Sequence, residues 1–187
     1  MASATLGVGG FYMLTTFMIS YGADTLGMPR SLMVNGTLVA AVVQIVVILV
    51  VGRMADRLGP GRVTLWGGLL SAAFAFPLFW LVETENPVLV VLAMAAGIGV
   101  LSVAYAVSGA LLAELFPARL RYTGVALSYN LAGALTGFLP FLATALLAAG
   151  GGASWPAALL LMALALITAL GGLLGSRLRV KDDALTA

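Results

Sequence analysis

One short stretch concentrates the ionisable side chains. Gly52-Arg53-Met54-Ala55-Asp56-Arg57-Leu58-Gly59-Pro60-Gly61-Arg62 sets a single carboxylate among three guanidinium groups. Asp56 can accept from backbone N–H groups at a nearby helix start, or pair with an arginine. A second stretch, Glu114-Leu115-Phe116-Pro117-Ala118-Arg119-Leu120-Arg121-Tyr122-Thr123-Gly124, answers with one carboxylate and two arginines. Two short charged loops of this kind can latch parts of a protein together. They can equally be solvated loops whose arginines only fix orientation, and spacing alone leaves both readings open.

The chemistry available elsewhere is narrow. The chain has no His and no Cys. Disulfides, thiolate chemistry, histidine dyads and His/Cys metal sites are therefore excluded. No pair of carboxylates stands within an apolar stretch, which removes an aspartyl-protease arrangement. No enzyme activity, cofactor or metal is expected. Of the 187 residues, 62% are hydrophobic and 9% are charged, and the mean hydropathy is +1.13. A soluble domain is about half apolar and about a quarter charged. This excess excludes a water-soluble enzyme, a disordered chain and a fibrous repeat, and a net charge of only +2 excludes a nucleic-acid partner. The solvent for most of the surface is a lipid bilayer.

The elements that must position the charged stretches are apolar runs of roughly 20 residues, the length a spanning helix needs. Six are expected, over 6–23, 31–51, 63–82, 87–113, 123–149 and 156–176. They make one six-helix transmembrane domain over 1–187, with 177–187 as a short cytoplasmic tail. The runs are continuous rather than alternating, which argues for helices over a barrel. The connections sort by sign. Arg53, Arg57, Arg62, Arg119, Arg121, Arg177, Arg179 and Lys181 share one side; Arg30, Asp24, Glu83 and Glu85 share the other. The positive-inside rule puts the basic side, and with it both termini, in the cytoplasm. The amino terminus lacks the basic region of a secretory signal, so the first run is expected to remain a helix.

Polar side chains inside lipid are costly and turn toward a cavity or another helix. Tyr12, Thr16 and Ser20 recur every four residues and share a face of the first run. The fourth run carries Ser102, Tyr105 and Ser108; the fifth carries Ser128, Tyr129, Asn130 and Thr136; the second carries Asn35, Thr37 and Gln44. The third and sixth are plainest, with Ser71 and Thr168 near their middles. The pattern suggests that the first, second, fourth and fifth runs surround something polar and that the other two face lipid. Tyr12, Thr16, Ser20, Gln44, Tyr105, Ser108 and Asn130 are the candidates for a cavity wall. For a lone Ser or Thr the alternative is a bond back to its own helix. The primary amides of Gln44 and Asn130 need outside partners. Pro77 and Pro140 are expected to kink their helices. Gly67, Gly68, Gly171, Gly172 and Gly175 let helix backbones approach closely.

Gly52-x-Met54-Ala55-Asp56-Arg57-x-Gly59 resembles the cytoplasmic signature of the major facilitator superfamily, with Pro60 and Gly61 where that family has paired basic residues. The second stretch, with Val125-Ala126-Leu127-Ser128-Tyr129-Asn130-Leu131 and Gly137-Phe138-Leu139-Pro140, is similar to its metabolite:proton symporter branch. That branch carries shikimate, 2-oxoglutarate, citrate and proline or betaine. The resemblance implies the carboxy-terminal half of a twelve-helix fold, built as two inverted three-helix repeats. It implies an amino-terminal six-helix half as the missing partner. It implies a secondary active transporter in the inner (plasma) membrane, moving a small polar metabolite, organic acid or osmolyte, by alternating access coupled to protons.

By the same resemblance, Gly52, Asp56, Arg57, Gly59, Arg62, Glu114, Arg119 and Arg121 form a cytoplasmic charge network that holds the inner side closed. No ionisable group stands in the interior of any run, so the proton site is expected in the other half. The opening Met and weak start fit a truncated or split reading frame. The rival reading is a six-helix channel or structural membrane protein that works as a homo-oligomer.

Overall fold

A computed structural model describes residues 2–178. Among the described residues six helices are long and apolar enough to cross a membrane: α1 (Ala2–Thr25), α2 (Arg30–Leu58), α3 (Pro60–Val82), α4 (Pro87–Glu114), α5 (Arg121–Ala149) and α6 (Trp155–Arg177). There is no strand among the described residues. Arg179, Lys181 and most of the tail expected over 177–187 lie outside the described residues.

Proline marks the starts. Pro60, Pro87 and Pro156 occupy the first or second position of α3, α4 and α6, where the missing N–H costs nothing. Asn86 caps α4, its Oδ1 accepting from Val88 N–H at 3.0 Å and Leu89 N–H at 3.4 Å. The eleven-residue link expected between the second and third runs is corrected. α2 continues to Leu58 and α3 begins at Pro60, so Gly59 alone joins them, at φ 82°. Arg, Met, Ala and Leu sustain a helix past its apolar stretch, and glycine alone adopts that turn without strain. The charged side chains therefore ride on helix ends rather than on a loop.

The packing is two-fold. α1 meets α4 and α3 meets α6; α2 lies on α4 as α5 lies on α1; α3 lies on α4 as α6 lies on α1. Residues of α1–α3 and α4–α6 thus form equivalent repeats. Three crossings return the chain to the opposite face, so the second repeat is inverted.

The α3–α6 seam is the most extensive contact. A Cβ on Gly68 would lie 2.7 Å from Ala169 N, and one on Gly172 would lie 2.6 Å from Leu65 N. Burial of the apolar stretch is 56% in α1 and in α4, 39% and 44% in α3 and α6, but 28% in α5 and 17% in α2. The least covered helices within this chain are therefore α2 and α5, while α3 and α6 bury one face in each other and leave Trp66, Leu70, Leu170 and Leu174 exposed on the rest of their surface. The close glycine contacts bury α3 and α6 against each other, and no sequence count of polar residues registers that.

Three helices are irregular. α1 includes wide turns, with Met18 N–H bonding Met13 O and Leu26 N–H bonding Tyr21 O. α4 breaks at Val107, and α5 breaks at Gly137–Phe138 just before Pro140. The break at Pro140 is where a kink was expected; α3 runs unbroken through Pro77.

Candidate functional site: a neutral groove and a charged end

Most hydroxyls in the helices are spent locally. Thr15, Thr37, Thr64, Ser71, Ser102, Thr136 and Thr144 each donate to the carbonyl four residues earlier. This is the ordinary fate of a hydroxyl in an apolar helix. Asn130 does the same, its Nδ2 donating to Ala126 O at 2.8 Å.

Three polar side chains are different. Tyr12, Gln44 and Tyr105 line a groove of about 430 Å³ together with Gly7, Val8, Phe11, Ile45 and Ile48. Among the described residues none of the three has a hydrogen-bond partner. α1 supplies Tyr12, α2 supplies Gln44 from its centre, and α4 supplies Tyr105 just before its break at Val107. Gly7 makes the junction possible: a Cβ there would strike the Tyr105 ring. The volume falls within the range of small-molecule sites, and a few convergent polar groups on apolar walls are what such sites show.

The other cavity candidates fall elsewhere. Thr16 is exposed and does not line the groove. Ser20 donates to Asp24 Oδ2 at 2.7 Å, at the end of α1 that lies opposite the Arg53–Arg62 cluster. Ser108 is fully buried and donates to Tyr105 O at 2.8 Å, and its hydroxyl lies 2.6 Å from that of Tyr129. Tyr129 was not among the sequence candidates. It ties α5 to α4 at the break beside Tyr105, and its position next to Asn130 gave no signal that separated the two.

At the arginine-bearing end, Asp56, Arg57, Gly59 and Glu114 line one cleft of about 430 Å³ with Leu58, Pro60 and Ala110. Arg121 Nε donates to Ala113 O at 3.1 Å, fastening the start of α5 to the end of α4. Asp56, Arg57, Arg62 and Arg119 are exposed. Among the described residues Asp56 accepts no hydrogen bond, and no side chain caps the start of α3. A Cβ on Gly52 would meet nothing within 4 Å. At the opposite end, Tyr21 stacks on Phe17, meets Phe79 edge-on and donates to Glu83 Oε1 at 3.1 Å.

Comparisons with known proteins bear on this arrangement. A profile of the Major Facilitator Superfamily matches residues 1–186. The shikimate transporter of Escherichia coli strain K12 is 32% identical over 166 residues, 87% of this chain and 38% of that protein. The alpha-ketoglutarate permease of the same strain is 32% identical over 129 residues, 68% of this chain and 30% of that protein. The citrate-proton symporter of Klebsiella pneumoniae is 30% identical over 141 residues, 73% of this chain and 31% of that protein. The chain thus spans between 30% and 38% of the length of these relatives. No solved structure matches it.

Proposed function

The chain belongs to the Major Facilitator Superfamily, and from that premise we propose that it is the carboxy-terminal six-helix half of a secondary active transporter. The solute is a small polar metabolite, an organic acid or an osmolyte. The whole carrier works by alternating access, with the groove between α1, α2 and α4 forming one wall of the solute path. The opposing wall belongs to a second six-helix half, which docks over α2 and α5. The arginine-bearing end, and both termini with it, face the cytoplasm from the inner membrane. The network of Gly52, Asp56, Arg57, Gly59, Arg62, Glu114, Arg119 and Arg121 holds the cytoplasmic side closed until the halves rock apart. Coupling is to protons, and the titrating group belongs to the other half, since no Asp, Glu, Lys or Arg stands within the apolar stretches of these helices.

One observation carries this reading. The unpartnered groups of Tyr12, Gln44 and Tyr105 meet in a groove beside α2, whose apolar stretch is only 17% buried. Polar groups left open beside an uncovered helix describe half of a cavity, because a polar group facing hydrocarbon is costly.

The experiment is reconstitution into proteoliposomes under an imposed pH gradient, with radiolabelled shikimate, citrate and proline offered in turn. The chain alone is expected to take up none of them. Co-reconstitution with an amino-terminal six-helix half is expected to restore uptake of one. Proton-coupled uptake by the chain alone would overturn the half-carrier reading, and ion conductance through a stable dimer would favour a homo-oligomeric channel. The gene provides a second check: an upstream frame encoding six more spans is expected.

A further inference from the structure

The groove is uncharged. No Asp, Glu, Lys or Arg is among its lining residues. Its polar groups are one primary amide and two phenols. Each can both donate and accept, as a solute hydroxyl can. A carboxylate only accepts, and its desolvation must be offset by a cation that this groove lacks. A quaternary ammonium group gains cation–π attraction from aromatic faces, but it neither donates nor accepts and would leave the amide and both phenol hydroxyls of this groove without partners. The remaining lining is a compact apolar frame: the ring of Phe11 and the aliphatic Val8, Ile45 and Ile48. The Tyr105 ring packs directly on the backbone of Gly7, which places its phenol at the junction of α4 with α1.

We propose that this half reads the hydroxyl-bearing face of a compact, polyhydroxylated solute, and that the solute's charged group is turned away from it. Tyr12, Gln44 and Tyr105 supply the hydrogen bonds, and the apolar residues take the carbon frame. Specificity for hydroxyl number and placement belongs to this half, while recognition of charge belongs to the facing one. The inference rests on the carrier reading and adds to it the division of labour between the halves.

The test is binding to the 187-residue chain in lipid nanodiscs, read by ligand-observed saturation-transfer NMR. Three probes share one ring: shikimate, its methyl ester, and 1-cyclohexene-1-carboxylate, which lacks the hydroxyls. The ester is expected to bind within about twofold of shikimate, and the hydroxyl-free acid at least about tenfold more weakly. Glycine betaine is expected not to compete. Tyr12→Phe, Tyr105→Phe and Gln44→Leu should each erode the hydroxyl preference without altering the ratio of acid to ester.

Equal binding of the hydroxyl-free acid, loss of binding on esterification, or competition by betaine would each overturn the proposal. Uptake of shikimate by the completed carrier, with no binding to this chain, would overturn it too, yet would leave the transport reading intact.

Discussion

The α3–α6 seam and the groove between α1, α2 and α4 draw on the same inventory of small, apolar and polar residues, and they use it in opposite ways. In the seam, glycine removes the side chain where two backbones must touch, as at Gly68 against Ala169 and Gly172 against Leu65. Its hydroxyls are spent. Thr64 and Ser71 bond back to their own helix, and Thr168 turns to α1, donating to Ala2 O at 3.1 Å and accepting from Leu6 N–H at 3.1 Å. In the groove, glycine seats one aromatic ring, and the remaining polar groups are left without partners among the described residues. The seam is finished by contacts within this chain, whereas the groove needs something further. On the proposed reading, the difference separates scaffold from working surface.

The contrast breaks most readily at the seam. Gly172→Leu should destabilise the bundle by about 3 kcal/mol, because the new side chain meets backbone that cannot move aside. A fall in detergent melting temperature measures it, and an unchanged melt would mean the seam is looser than described. In the completed carrier, Asp56→Asn should cut uptake by about tenfold or more while insertion stays normal. Full uptake would reduce the charged cleft to a fixed helix junction. Thr168→Val removes the hydroxyl that accepts from Leu6 N–H and donates to Ala2 O, which Thr5 also serves, and should cost about 1 kcal/mol, the usual worth of an interhelical hydrogen bond in a membrane. Asn130→Ala should change stability by less than about 0.5 kcal/mol and leave uptake intact, since its amide bonds its own helix outside the groove. A large uptake defect there would extend the working surface onto α5.

How far this was legible in the sequence follows from how local each signal is. The six helices are written in uninterrupted apolar length, and any spanning segment must satisfy its own backbone. Tyr12, Gln44 and Tyr105 were readable by type, although type alone did not separate Gln44 from Asn130, whose amide bonds its own helix. Thr16 and Ser20 share a helical face with Tyr12, yet a shared face does not say how far along the helix a cavity extends. Ser108 and Tyr129 depend on a break at Val107 that nothing in the residues around it announces. The joint at Gly59 was hidden because charge ended the apolar run before it ended the helix. The burial of α3 and α6 was hidden because glycine contacts depend on which helices meet.

The central claim is that the groove side of α1, α2 and α4 faces a watery solute path while the far side of the bundle faces lipid. The absence of native cysteine in this chain lets single introduced thiols report directly. The measurement is labelling of Gln44→Cys and Leu70→Cys, in the completed carrier, with a membrane-impermeant methanethiosulfonate reagent. The thiol at position 44 is expected to react and to be protected by transported solute. The thiol at position 70, on the exposed face of α3, is expected to stay unlabelled. An unreactive thiol at 44, or equal labelling at both positions, would contradict the account.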